Sequence, residues 1–154
     1  MSDAVPTIGP AGVRFRSRLE ARWAEFFTRM RWPWTYEPEL GLDRWIPDFA
    51  LSCGTGMLVE VKPAVTMMQL LPHYARIQHS GAAAPVWLVG AALALRAGTD
   101  PALGWFGFPA GDAWQWREMT AANVGAQTGT AWAFKTMQAV WIAAGNDLQW
   151  RGNQ

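Results

Sequence analysis

Two kinds of hydrophobic spacing mark the first half of the chain. From residue 13 to residue 30, large apolar side chains recur every three or four positions, as on one face of an α-helix, and arginines fill the opposite side. Two short runs, 45–51 and 57–61, are rich in strand-forming residues and are joined by the glycine-containing segment SCGTG. The pattern predicts an amphipathic helix followed, after a break, by a β-hairpin.

The elements around the hairpin are predicted from shorter patterns. Residues 35–40 (TYEPEL) indicate a short extended segment before it. After it, a helical stripe kinked at Pro72 covers 67–77, and the continuous apolar run 85–90 is typical of a strand buried on both faces. Weaker patterns predict strands at 105–108 and 113–117, a helix over 130–144 and a last short strand at 147–150.

Length and composition indicate one globular domain. The chain has 154 residues, about half of them hydrophobic, which suits a single core. We interpret residues 1–12, rich in proline and glycine, as a flexible lead-in and 13–154 as the domain. The single cysteine, Cys53, excludes an internal disulfide, and the N-terminus lacks the pattern of a secretory signal. We therefore expect a soluble, cytoplasmic protein with no membrane contact.

The register of the hairpin brings charged side chains together. If the reversal is centred near Gly54, paired positions sum to 108, so that Asp48 lies opposite Glu60. One face is then entirely apolar and is predicted to face the core: Trp45, Phe49, Leu51, Met57, Val59 and Val61. The other face carries Ile46, Asp48, Ala50, Leu58, Glu60 and Lys62.

Two interpretations of this polar face are open. Facing carboxylates repel each other, and a hard divalent cation bound between their oxygens would relieve the repulsion. Such an ion would hold a phosphate and activate a water, with Lys62 orienting the water or stabilising charge on phosphorus, so that the reaction would be phosphodiester hydrolysis. Alternatively, Lys62 compensates Asp48 and Glu60 in an exposed cross-strand salt-bridge cluster.

The same residues resemble the signature of the PD-(D/E)xK nuclease superfamily: Pro47-Asp48, eleven intervening residues, then Glu60-Val61-Lys62. The resemblance extends from Phe15 to about Gly90. It implies a restriction-endonuclease-like α/β core of αβββαβ order, with a central mixed sheet flanked by helices. The stretches RFRSRLEARWAEFF, TYEPEL, WIPDFAL and LVEVKP are similar to small phage- or prophage-type members.

The resemblance also implies roles for individual residues. Asp48 and Glu60 would be metal ligands with the Val61 carbonyl as a third, and Lys62 would be the catalytic lysine. The ion would be Mg²⁺, with Mn²⁺ as a substitute. Glu20 matches the acid that many members carry on the first helix, although pairing with Arg16 on the helix surface is an equal alternative. Gln78 matches an accessory glutamine.

The expected partner is nucleic acid. The segment 14–31 holds six arginines against two acids, and we assign phosphate contacts to Arg14, Arg16, Arg18 and Arg22, with a solvated helix face as the alternative. DNA as substrate follows from the resemblance alone, and RNA stays open. Among the eleven tryptophans, candidate stacking residues are Trp105, Trp114 and Trp116. We expect a homodimer.

Two other functional classes remain. One is a non-catalytic nucleic-acid-binding or protein-interaction module that uses the same fold as a scaffold. The other is a structural phage protein that assembles through its tryptophan-rich surface.

Overall fold

The computed structural model describes residues 6–152, and the side chains of residues 6–148. Its elements in chain order are β1 (Thr7–Ile8), β2 (Arg14–Phe15), α1 (Arg18–Arg29), β3 (Trp34–Tyr36), β4 (Phe49–Leu51), β5 (Met57–Val61), α2 (Tyr74–Gln78), β6 (Val86–Val89), β7 (Trp105–Ala110), β8 (Ala113–Glu118), α3 (Ala121–Thr128) and α4 (Phe134–Gly152). Short 3-10 helices cover Pro10–Gly12 and Met68–His73. No helix within 6–152 has both the length and the apolar character needed to cross a membrane.

A mixed sheet forms the centre of the molecule. Within the described residues its six strands lie in the order β3-β4-β5-β6-β7-β8, and β5 and β6 are parallel while the other neighbours are antiparallel. The chain crosses from β5 to β6 through the 3-10 helix at 68–73 and α2, as a parallel connection requires. The expected mixed α/β architecture, with a central mixed sheet flanked by helices, is confirmed.

The register of the β4–β5 hairpin is the predicted one. Phe49 pairs with Val59 and Leu51 with Met57, so paired positions sum to 108. Gly54 and Gly56 make the reversal with φ angles of 59° and 80°, which glycine adopts without steric cost. A Cβ on Gly54 would lie 2.0 Å from the carbonyl oxygen of Gln127, because the end of α3 packs directly against the turn.

Both faces of the sheet are covered. The face bearing Phe49 and Val59 packs against α1 and α4 in the larger core cluster, which includes Trp23 and Trp87. The opposite face is also apolar: Leu58 of β5 with Val86 and Leu88 of β6 form a second cluster with Leu70 of the 3-10 helix and Ile77 of α2. All five residues of β5 are therefore buried, and the predicted polar face is polar only at its end.

One member of the predicted core face lies on the other side. Trp45 belongs to the second cluster rather than to the cluster of Phe49. Side-chain alternation does not extend back to it, because β4 begins only at Phe49 and Arg44 has a φ of 54°. The prediction for Trp45 was wrong for this local reason.

Both ends of the chain contain regular structure that the patterns did not indicate. Within the segment expected to be a flexible lead-in, β1 pairs with β2, and Gly9 and Pro10 are buried, with Gly9 against the ring of Phe15. Residues 1–5 lie outside the described residues. The strand expected at 147–150 is wrong, since α4 continues through it and packs against α1. Helix α3 has no counterpart in the prediction; Thr120 caps its start and Gly129 its end.

Candidate functional site

Asp48 lies immediately before β4, where its side chain, in place of a backbone carbonyl, accepts the hydrogen bond from the neighbouring strand β5. Its Oδ2 accepts a hydrogen bond from the Val61 N–H at 2.8 Å. Its own carbonyl accepts one from the Glu37 N–H, also at 2.8 Å, so the backbone is held from the β3 side. The end of the hairpin thus fixes the Asp48 carboxyl against the edge of β5.

Glu60 occupies the neighbouring strand and is 4% exposed. Its Oε2 accepts a hydrogen bond from Trp45 Nε1 at 3.0 Å and lies 3.5 Å from Lys62 Nζ. Its Oε1 is buried and has no hydrogen-bond partner among the described residues. Leaving a buried carboxylate oxygen unpaired is costly, so this atom calls for either a proton shared with the neighbouring Asp48 or a bound cation.

The surroundings of Asp48 strongly raise the pKa of its carboxyl group. Burial, followed by the negative charge of Glu60 and hydrogen bonding with that side chain, raises the pKa of Asp48 to about 10. A hydrogen bond with Glu20 acts in the same direction, whereas the Val61 N–H opposes it. In the absence of a cation, Asp48 therefore keeps its proton at neutral pH.

Glu20 reaches this cluster from the start of α1. Ser17 is the N-cap, and its Oγ accepts a hydrogen bond from the Glu20 N–H at 3.1 Å and donates one to Glu20 Oε1 at 3.2 Å. This is the Ser-x-x-Glu capping pattern, which places the acid at a fixed point of the first turn. The alternative of a pair with Arg16 does not hold, because Arg16 pairs with Glu37 at 2.5 Å.

The residues present fit a divalent cation. Asp48 and Glu60 supply carboxylate oxygens from adjacent strands, and one of these oxygens is orphaned. The Val61 carbonyl lies on the same edge of β5 as its N–H, which is the edge facing Asp48. Within the described residues, no group of three or more histidine, cysteine, aspartate or glutamate side chains is arranged to hold a metal ion. The candidate ligand set is thus two carboxylates and a backbone oxygen, to which waters would be added.

The four arginines with predicted phosphate contacts divide into two groups. Arg14 and Arg18 are exposed at the start of the first helical region. Arg16 is exposed but pairs with Glu37. Arg22 turns inward: its Nη2 donates to the Trp141 carbonyl at 2.9 Å, its guanidinium lies 4.1 Å from the centre of the Trp141 ring, and burial lowers its pKa. Arg22 therefore joins α1 to α4 rather than facing a ligand.

Gln78 does not join the carboxyl groups in a hydrogen bond. Its Oε1 accepts from Trp116 Nε1 at 2.9 Å, so it orients an indole ring on β8. Trp105, another predicted stacking residue, donates its Nε1 hydrogen to the Met67 carbonyl at 2.9 Å. Gln78 thus contacts an aromatic side chain, and its accessory role in the site stays a prediction.

Sequence reasoning missed two residues at the site. Trp45 donates a hydrogen bond to Glu60. The ring of Trp45 lies on the same face as Glu60 because the chain is not regular strand at Arg44, and the sequence pattern does not indicate this irregularity. The second is His73 on the 3-10 helix: burial and the positive charge of Lys62 lower its pKa, and the negative charge of Glu60 opposes this shift. Its place beside both groups depends on how the 3-10 helix folds back, for which the sequence contains no clear signal.

Comparison of the chain with protein-family models, with curated proteins and with solved structures finds no match.

Proposed function

We propose that the protein is a metal-dependent nuclease of PD-(D/E)xK type, with a restriction-endonuclease-like core, that hydrolyses phosphodiester bonds in DNA. One observation carries the proposal. Two carboxyl groups, the half-buried Asp48 and the buried Glu60, meet at a strand end beside Lys62, and one oxygen of Glu60 has no hydrogen-bond donor among the described residues. Such a pair is unfavourable in itself and becomes favourable when it shares a cation.

Each residue has a definite task in this proposal. Asp48, Glu60 and the Val61 carbonyl would hold Mg²⁺ or Mn²⁺, which when bound lowers the pKa of water and neutralises phosphate charge. Lys62, held near Glu60, orients the attacking water or donates to a phosphate oxygen. Water adds to phosphorus and the P–O bond to the leaving sugar oxygen breaks, which leaves a phosphate monoester and a hydroxyl group.

Supporting residues keep the ligands in place. The Val61 N–H fixes Asp48, and the Trp45 indole fixes Glu60. Glu20 adds a third acid near Asp48 from the first turn of α1. Partners of this kind, outside the ligand set itself, commonly change metal affinity or activity by 10- to 100-fold when they are removed.

Fewer arginines are proposed to contact nucleic acid than the sequence predicted. Exposed Arg14 and Arg18 stand near the start of α1, the same turn that carries Glu20, and we assign them to the phosphate backbone. A homodimer would place two such sites on the two strands of a duplex. The similarity of the flanking stretches to phage-type nucleases supports DNA as the substrate and a phage or prophage setting.

The test is cleavage of linear, nicked, branched and single-stranded DNA, and of RNA, with Mg²⁺ or Mn²⁺. We expect Asp48→Ala and Lys62→Ala each to reduce the rate by roughly 100-fold or more, beyond the usual effect of removing an outer partner. Matched controls are Glu39→Gln and Lys135→Ala, which alter an exposed acid and an exposed lysine. If wild type cleaves no substrate faster than Asp48→Ala, the enzyme proposal is refuted.

The second candidate is a non-catalytic module on the same fold. It is favoured by the internal hydrogen bonds of the cluster, since Trp45 and Val61 already satisfy one oxygen of each carboxyl group. It predicts that Mg²⁺ or Mn²⁺ does not raise the melting temperature. A cation-dependent rise that disappears in Asp48→Ala would argue against it.

A further inference from the structure

Three aromatic rings form a shelf at the far edge of the sheet: Tyr74 on α2 and Trp114 and Trp116 on β8. Tyr74 and Trp116 are parallel to within 7°, with ring centres 3.9 Å apart. Trp114 and Trp116 are 5.8 Å apart at 24°. Flat, parallel contact at van der Waals distance is the geometry in which an aromatic side chain holds a nucleic-acid base.

The neighbouring strand β7 has a glycine where the ring of Trp116 lies against it. Trp116 lies opposite Gly107 on β7, and a Cβ on Gly107 would come within 2.5 Å of the indole ring. The absence of a side chain there lets the ring lie close to the sheet. The hydrogen bond from Trp116 Nε1 to Gln78 then fixes its orientation. The shelf is rigid and already ordered, which lowers the entropic cost of binding.

Trp114 forms the open end of the shelf. It is half-buried on β8, the edge strand of the sheet, and lies opposite Pro109. Tyr74 covers Trp116 with a parallel ring, whereas the stacked aromatic neighbour of Trp114 among the described residues is Trp116, at the longer distance of 5.8 Å and tilted by 24°. We therefore take the exposed part of Trp114, beside Tyr74, as the place where one more flat group would stack.

The shelf and the carboxyl groups share one face of the sheet. Cross-strand pairing places Glu60, Leu88, Trp105 and Glu118 in a lateral row, and alternation along β8 puts Trp116 and Trp114 on that same face. Three strand spacings separate β5 from β8, about 14 Å, and Trp114 lies four residues, about 13 Å, along β8 from this row, so that Glu60 and Trp114 are about 20 Å apart. A strand of nucleic acid held at one place can therefore reach the other.

The charge of the intervening segment suits a polyanion. Between residues 61 and 99 the sequence contains Lys62, Arg76 and Arg96 and no aspartate or glutamate, although Lys62 pairs with Glu60 and Arg96 with Glu118 of β8. Arg76 is exposed on α2, two residues from Tyr74. Aromatic rings beside cationic side chains are the usual composition of sites for unpaired nucleic acid.

We propose that the shelf binds an unpaired base on Trp114, so that the preferred ligand is single-stranded nucleic acid or a duplex with unpaired bases. This deepens the proposed function by naming the class of substrate. A base paired inside a duplex cannot offer its face to an indole ring, whereas an unpaired base can. The binding itself needs neither a metal ion nor cleavage.

The test measures binding of the full chain in EDTA, by fluorescence anisotropy, to an oligothymidine of about 20 nucleotides, its RNA counterpart, a duplex and a single strand with abasic sites. We expect single strands to bind more tightly than the duplex. Trp114→Leu should weaken this binding roughly 5- to 150-fold, and Trp114→Phe should retain most of it. On the abasic strand, Trp114→Leu should bind like wild type.

The control is Trp34→Leu, which removes a half-buried tryptophan from β3, the opposite edge strand. A second measurement needs no variant: a 2-aminopurine base in the strand should be quenched when it binds wild-type protein. The proposal is overturned if Trp114→Leu binds the single strand as wild type does, if its loss is equal on the abasic strand, or if no nucleic acid binds.

These outcomes are distinct from those of the nuclease proposal. Binding that depends on Trp114 without any cleavage in Mg²⁺ or Mn²⁺ would refute the nuclease and leave the shelf proposal intact. Cleavage that depends on Asp48, together with single-strand binding that Trp114→Leu does not weaken, would refute the shelf proposal and leave the nuclease proposal intact. Comparison of the DNA and RNA strands identifies which of the two the shelf accepts.

Discussion

Replacing Asp48 by asparagine measures how much the pairing of the Asp48 and Glu60 carboxyl groups lowers the free energy of unfolding, because the variant removes one carboxyl group and keeps the rest of the fold. Asparagine has nearly the same shape, and its Oδ1 accepts the Val61 N–H as the carboxylate does. Its amide group donates a hydrogen bond toward Glu60, where the aspartate must hold a proton to do so. The variant therefore resembles the protonated wild-type protein at every pH.

The magnitude follows from proton linkage. An unfolded aspartate loses its proton near pH 3.9, whereas folding raises the pKa of Asp48 to about 10. Below pH 4 Asp48 is protonated in both the folded and the unfolded state, so its ionisation does not lower the stability of the fold. Between those values the folded state binds one more proton, so stability falls by about 1.4 kcal/mol per pH unit as pH rises. At pH 7 the cost approaches 4 kcal/mol, and we expect a gain of about 2 to 4 kcal/mol in the variant.

The assay is urea unfolding in EDTA between pH 4.5 and pH 8. Wild type and Asp48→Asn should be close in stability at the acid end and separate with rising pH, with the variant more stable. Glu39→Gln, an exposed acid, should follow wild type. Mg²⁺ should stabilise wild type above pH 7 and leave Asp48→Asn unchanged. A variant that is less stable than wild type at pH 7, or a gap that does not widen with pH, would refute this reasoning.

Three further variants test residues that hold the site, join the helices or contact DNA. Trp45→Phe removes the hydrogen bond to Glu60 and should weaken Mg²⁺ binding or activity by about 10- to 100-fold; calorimetric titration checks this, and unchanged affinity would contradict it. Arg22→Ala should destabilise the fold by about 1 to 3 kcal/mol, because the Trp141 carbonyl loses a charged donor, while DNA affinity stays as in wild type. Arg18→Ala should leave the stability of the fold unchanged, as measured by denaturation, and should weaken DNA binding, as measured by titration.

The hairpin was predictable because its signals are local. Glycines at 54 and 56 set the reversal, and alternation in the flanking runs set the register. That register alone places Asp48 opposite Glu60. The first helix was predictable for a similar reason, since its apolar spacing and its Ser17 cap are contained within one segment.

The environment of those residues was not predictable from local patterns. Glu60 is buried because α2 and the 3-10 helix cover its face, and this coverage depends on the crossover between β5 and β6. Arg22 looked like a surface arginine until α4 brought the Trp141 carbonyl to it. Contacts between segments more than 100 residues apart leave no periodic trace in either segment.

The contact between the hairpin turn and α3 changes what counts as the smallest working unit of this protein. The backbone N–H of Thr55 donates to the Gln127 carbonyl at 3.2 Å, and their side chains meet at 2.9 Å. The two strands that carry the acidic residues are therefore braced from the C-terminal third of the chain. A fragment ending near residue 90 would keep every residue of the nuclease-like motif and lose this brace. Transplanting the motif to another scaffold would thus require a substitute for α3 as well as the hairpin itself.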